Sequence, residues 1–229
     1  MGRDPKTRRR RKGRILSLTV LCWAWWGWSA PAEAACEPSR MVRIVTRVVG
    51  PSVPAGSFAA KPKTLYRLGA RYGRVEELPN PASGLHLLVV VNEPDVWMVN
   101  RVDRTGQHMV DKGPTHNFRA VIFDEEGMPL LLQTLELGCE GKFLKENGAK
   151  PTGGASVRGR ACASWVVNAG ALRVEVCLDT ITQKPLRVVV SRSGAVLMNM
   201  EYDSYEDDLA PDLTLFERPT GVRFVEAGG

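Results

Sequence analysis

The sequence predicts a mainly β protein with minor α content, built as a curved antiparallel sheet. Three observations carry that prediction. Short runs of alternating or continuous apolar residues recur between Gly-, Pro-, Asn- and Asp-containing turns. The turns are close-spaced, whereas parallel neighbours need crossovers of about a dozen residues or more. Only one stretch has convincing helical periodicity, too little to cover the apolar faces of so many strands. A curved sheet with a lipophilic interior would use the surplus apolar surface, and a filled β-sandwich core fits the same pattern.

The chain opens on a segment of a different kind. Its first fourteen residues hold Arg3, Lys6, Arg8, Arg9, Arg10, Arg11, Lys12 and Arg14 against the single acid Asp4. An uncharged, mostly apolar run follows from Ile15 to Ala30, then Pro31-Ala32-Glu33-Ala34-Ala35. A basic head, a short apolar middle and a small-x-small exit are the parts of a secretory signal, expected over residues 1–34 with a mature start at Ala35. The run is shorter than the roughly 20 residues of a membrane-spanning helix. The expected product is a single periplasmic domain, residues 35–229.

Residues 1–34 hold eight of the 31 basic and two of the 25 acidic residues, which leaves 23 of each in the remainder. The basic excess belongs to the targeting segment, so the charge gives no ground for nucleic-acid binding.

The first strand is expected at Met41–Val49, with Val42, Ile44, Thr46 and Val48 on one face. Thr64–Leu68 and Tyr72–Leu78 form a hairpin around Gly69-Ala70-Arg71. Leu85–Val91 is nearly continuous in apolar residues, as a central strand buried on both faces would be. Turns at Asn92–Asp95 and Asp103–Gly106 lead to Val96–Val102 and Gln107–Val110. The helix follows: acids at Asp124-Glu125-Glu126, Pro129 in the first turn, Gly138 past the end, and a stripe of Met128, Leu131, Leu132 and Leu135 between them. Residues 145–160 contain four glycines and Pro151 and are expected as a mobile loop. Strands return at Ala161–Val167, Leu172–Leu178, Pro185–Ser191 and Ala195–Tyr202, before a solvated acidic connection, Glu201–Asp212.

Four cysteines follow the signal, Cys36, Cys139, Cys162 and Cys177, an even number for an oxidising compartment. A four-residue loop at Asn168-Ala169-Gly170-Ala171 would set Val167 against Leu172 and hence Cys162 opposite Cys177. Directly opposed Cβ atoms are about 4.5–5.5 Å apart, near enough for a disulfide after local adjustment. Cys36 is then left for Cys139. Cys36 has a rival use as a lipidation site that would anchor the protein to a membrane, although Glu33 occupies the position where lipoprotein signals place an apolar residue.

Catalytic signatures are weak. Gly154-Ala155-Ser156-Val157-Arg158-Gly159 has one residue too many for a nucleophile elbow. His108, Asp111 and His116, with His86 as a fourth, lack metal-ligand spacing. The acids Glu201, Asp203, Glu206, Asp207, Asp208 and Asp212 lack the register of a calcium loop. Glu76 and Glu77, adjacent on a strand, face opposite ways and form no catalytic pair. No cofactor or metal is expected, and an enzyme built on His108 and Asp111 would lack an orienting constellation.

Three C-terminal stretches carry a family resemblance: Pro185-Leu186-Arg187-Val188, Met200-Glu201-Tyr202-Asp203-Ser204-Tyr205, and Leu215-Phe216-Glu217-Arg218-Pro219-Thr220-Gly221-Val222. Together they resemble the end of LolA/LolB-type lipoprotein-carrier domains, and Trp97-Met98-Val99-Asn100 is similar to that family's central tryptophan hairpin. The match is best over residues 172–225. The family's long N-terminal helix has no counterpart, since only Glu37-Pro38-Ser39-Arg40 precedes the first strand. The resemblance implies an open half-barrel with one or more helices on its concave face and an apolar cavity for acyl chains. The residues expected to bind lipid are Trp97, Met128, Leu131, Leu132 and Leu135, with the helix acting as a movable lid. The implied function is non-enzymatic binding of a lipid or acylated lipoprotein. The alternative is an envelope-stress or assembly module that uses the same fold to bind another protein.

Overall fold

The structure is a computed structural model that describes residues 37–226 apart from 52, 55, 114 and 124–127. The expected signal segment and Cys36 lie outside the described residues. Among the described residues no helix is long and apolar enough to cross a membrane.

Among the described residues twelve strands form one sheet in the order β12-β6-β5-β4-β3-β2-β1-β11-β10-β9-β8-β7. They are β1 Met41–Val48, β2 Lys63–Leu68, β3 Tyr72–Glu77, β4 Leu87–Asn92, β5 Asp95–Asn100, β6 Thr105–Val110, β7 Lys150–Val157, β8 Arg160–Ala169, β9 Leu172–Asp179, β10 Pro185–Arg192, β11 Ala195–Leu209 and β12 Arg223–Glu226. Every pairing is antiparallel except that of β12 with β6. The short turns explain this: consecutive strands are joined too tightly to cross over. The long β11 pairs with β10 through its first part and with β1 through its second, joining the two halves of the sheet.

Two short helices, α1 Leu130–Gln133 and α2 Glu140–Glu146, belong to the same core as one face of the sheet. Val42, Ile44, Leu65, Val174, Val176, Val188, Val190 and Tyr202 meet Leu132, Leu135, Phe143 and Leu144 there. The opposite face of β4 and β5 carries a smaller cluster, Leu88, Val90, Trp97 and Val99, with Val222 and Phe224 packed against it.

Four expectations need correction. The predicted single helix is one turn long. Thr134 turns its hydroxyl back to donate to the Leu131 carbonyl at 2.7 Å. Residues 135–137 then leave the helix to pair with 120–122, through Ile122 N–H to Leu135 O and Leu137 N–H to Ala120 O, both 2.9 Å. The expected loop at 145–160 instead contains the end of α2 and strand β7. This is a sheet edge, where Gly153, Gly154 and the donorless Pro151 are tolerated, and the pairing shifts register between Pro151 and Gly153.

The acidic stretch is strand as far as Leu209, because its acids meet bases on neighbouring elements. Arg43 pairs with Glu206 at 2.7 Å, Arg158 with Asp203 at 2.7 Å and Lys184 with Asp207 at 2.7 Å.

Finally, the Cys162–Cys177 disulfide is present, but the hairpin register that pointed to it is two residues out. Gly170, at φ +63°, allows a two-residue turn, so Ala169 faces Leu172. Ser164 then stands opposite Cys177 and Cys162 opposite Asp179. The cysteines are diagonal neighbours on one face with Cα atoms 5.5 Å apart, inside the span of a disulfide.

Candidate functional site

Met128, Leu132 and Leu135, three of the five residues expected to bind lipid, are 8%, 0% and 0% exposed and interlock with the main core. Leu131 is partly buried against the same cluster. Trp97 is not brought to them. It stands opposite Val90, one residue out of step with Val89, which faces Val75 and through it Leu65 of the main core. In a strand that offset of one residue turns a side chain to the other face. There its ring stacks on His108 with centroids 5.6 Å apart, and His108 Nε2 lies 2.7 Å from Asp95 Oδ1.

Beneath the helices the apolar core encloses polar groups. Arg67, fully buried, lies 2.9 Å from Glu136 Oε2 and donates to the carbonyls of Leu137, Phe118 and Gly69 at 3.1, 3.3 and 3.2 Å. Burial lowers its guanidinium pKa, with Glu136 pulling the other way. At the start of α2, the buried Glu140 accepts from Tyr202 OH at 2.6 Å and from the Gly138 N–H at 3.1 Å. Burial raises the Glu140 carboxyl, and burial with the neighbouring Glu140 raises Tyr202. These bonds fasten the first turn of α2 to β11. Cys139, just before α2, is disulfide-bonded, and its partner lies outside the described residues. At the other end Asn147 donates to Phe143 O at 2.9 Å and the Ala149 N–H to Leu144 O at 3.0 Å. The helix is therefore held at both ends.

Its flank is not filled. A cavity of about 330 Å³ lies between α2 and strands β8 and β9, lined by Gly141, Leu144, Lys145, Ala149, Trp165 and Leu178 among others. Leu144 and Leu178 give apolar walls, Lys145 is exposed, and Trp165 Nε1 is buried with no hydrogen-bond partner. Gly141 has no atom within 4 Å of where a side chain would begin. Gly141 stands in the first turn of α2, and no close packing requires a glycine there. Two larger hollows among the described residues are polar. One, of about 740 Å³, adjoins Cys139; the other, of about 530 Å³, includes Arg74, Arg101, Arg104 and Arg218 in its lining.

The sequence reading missed α2, and with it this cavity. The signal was present: Glu140 in the first turn, Lys145 in the last, Phe143-Leu144 between them and Gly148 just beyond. Ser156 lies on β7 and is exposed. Glu76 and Glu77 face opposite ways as expected, Glu76 toward Arg74 and Arg101, Glu77 toward Lys63. Asp111 and His116 do come together, with Glu93 rather than with His108 or His86.

No protein-family model matches the chain, and neither does any curated protein. Solved structures do. An uncharacterized conserved protein from Thermus thermophilus is 15% identical, covers 82% of this chain and 91% of its own, and has a TM-score of 0.47. MucB in the Pseudomonas aeruginosa MucA/MucB complex is 13% identical over 82% of this chain, with a TM-score of 0.44. The match spans 59% of that chain's length. A structure from Vibrio parahaemolyticus, described as an outer membrane lipoprotein-sorting protein domain, is 10% identical over 77% of this chain and 88% of its own, with a TM-score of 0.34.

Proposed function

We propose that the protein is a non-enzymatic periplasmic binder of a lipid or lipoprotein acyl chain, and that the chain enters the cavity beside α2. The observation that carries this reading is the unfilled apolar space between Leu144, Ala149, Trp165 and Leu178. Its volume lies at the lower end of the roughly 300–1,000 Å³ of small-molecule sites, which suits one acyl chain better than several. Each buried methylene contributes about 0.8 kcal/mol, so a few suffice for useful affinity. The exposed Lys145 in its lining offers a charge to an acyl carboxylate. The lipid-contacting set becomes Leu144, Ala149, Trp165 and Leu178, while Met128, Leu132 and Leu135 support the wall from within the core.

Gly141→Trp tests the reading. The new side chain starts in open space and should fill the cavity without disturbing the core. A fluorescent fatty acid that binds wild type should no longer bind this variant, while far-UV circular dichroism stays unchanged. Equal binding by both proteins would refute the site.

A second reading, an assembly or envelope-stress module that binds another protein, draws on β7. Among the described residues this edge strand pairs only with β8, and it is mostly exposed, so it can accept an added strand. Gly141→Trp leaves that edge untouched, and a protein partner retained by the variant would favour this reading.

A further inference from the structure

We propose that Glu93, Asp111 and His116 form a binding site for one divalent transition-metal cation, of which zinc suits the donors best. One ligand atom from each residue lies within 4.8 Å of the other two. Glu93, in the turn between β4 and β5, is only 6% exposed, and its Oε2 has no hydrogen-bond partner. The nearby Arg71 makes no hydrogen bond to that carboxylate and acts on it only through its charge; its Nε donates to the Glu93 backbone carbonyl at 3.1 Å. A buried carboxylate beside a second acid is costly unless something positive completes it.

The segment after β6 is shaped to present the other two donors. The Asp111 N–H donates to Pro94 O at 2.8 Å, which seats Asp111 on the Glu93 turn. Asp111 Oδ1 accepts from the Gly113 N–H at 2.8 Å, leaving its second oxygen for another partner. Gly113 has φ +72°, and a Cβ there would lie 3.1 Å from His116 Cε1 and 3.3 Å from Nε2. Glycine thus lets the backbone turn left-handed and pass close to the imidazole.

One imidazole with two carboxylates is a donor set of borderline hardness. It suits zinc and its first-row neighbours better than calcium, which takes six to eight oxygens. Three side-chain donors leave a fourth position open, so exchangeable binding is expected rather than a closed structural centre. The cation would clip Asp111 and His116 to the turn that holds Glu93. Two residues beyond His116, the Phe118 N–H donates to Ala70 O. The site is remote in sequence from the acyl cavity and does not depend on it.

The test uses the full chain, purified without a histidine tag and freed of metal with a chelator. Titration calorimetry with Zn²⁺ should show one equivalent bound, and the melting temperature should rise with Zn²⁺ concentration by mass action. Co²⁺ in place of Zn²⁺ should give a visible d–d band. His116→Ala, an exposed change that should leave the fold intact, should weaken binding by about tenfold or more and remove the band. Glu93→Gln should do the same, and His86→Ala should change nothing. No binding of Zn²⁺ or Co²⁺ by wild type would overturn the proposal. Undiminished binding by both His116→Ala and Glu93→Gln would overturn it too, and a preference for Ca²⁺ over Zn²⁺ would overturn the transition-metal assignment.

Discussion

Two apolar stretches lie on the same face of the sheet and differ in whether anything fills them. Around α1, Met128, Leu132 and Leu135 are closed in by strands and by the paired segments 120–122 and 135–137. Around α2, Leu144, Trp165 and Leu178 border open space, and an indole N–H there lacks a partner. Both stretches are rich in leucine, so composition and spacing could not tell core from site. What separates them is unfilled volume, which only the assembled fold reveals.

The largest expected effect falls on the filled stretch. Leu132→Glu would bury a charge with no partner and should unfold the protein, while Leu132→Ala should cost about 2–5 kcal/mol. Urea unfolding followed by circular dichroism measures both. A folded Leu132→Glu that loses only lipid binding would reverse the comparison and restore the movable lid.

A smaller effect is expected on the far side of the sheet. The loop closed by Cys162 and Cys177 separates them by 15 positions, and opening it with paired serine substitutions should cost about 3 kcal/mol. Lipid-probe affinity should not change, because the disulfide lies in a separate cluster with Val157 and Leu186. Lost affinity would show that the two faces are coupled.

The subtlest effect is a pH dependence. Glu140 holds its proton more tightly in the folded state than its ordinary value of 4.5, because burial outweighs the hydrogen bonds from Tyr202 and Gly138. An acid raised on folding contributes stability that is complete below the unfolded value and is lost as pH rises through the folded one. Wild type should therefore lose more stability than Glu140→Gln between about pH 4.5 and neutrality. Urea midpoints across that range give the difference. Parallel curves would show that Glu140 is as acidic in the fold as outside it.

Most strands were legible because the apolar patterns at Met41–Val48, Leu172–Asp179 and Pro185–Arg192 match the buried positions observed. Turn length was less legible. Asn168-Ala169-Gly170-Ala171 admits a four- or a two-residue loop, and only pairing along the whole of β8 and β9 selects the shorter. Glycines read as a loop proved compatible with an edge strand, and acids read as solvated were paired by Arg43, Arg158 and Lys184. The helix was overread at Leu135, whose backbone is taken by Ile122, a contact no local periodicity encodes. Of the cavity, Leu178 was assigned to its strand and Trp165 to its own, but their meeting across from Leu144 needed α2. Glu93 was passed over because it is distant in sequence from His116.

The central claim, an acyl chain seated beside α2, is tested most directly by photolabelling. A fatty acid carrying a terminal diazirine would be irradiated with the full chain and the crosslinked peptides mapped by mass spectrometry. The account predicts labels on peptides containing Leu144, Ala149, Trp165 or Leu178, all suppressed by Gly141→Trp. Labels confined to the Trp97 and Val222 cluster, or labelling that Gly141→Trp leaves undiminished, would contradict it.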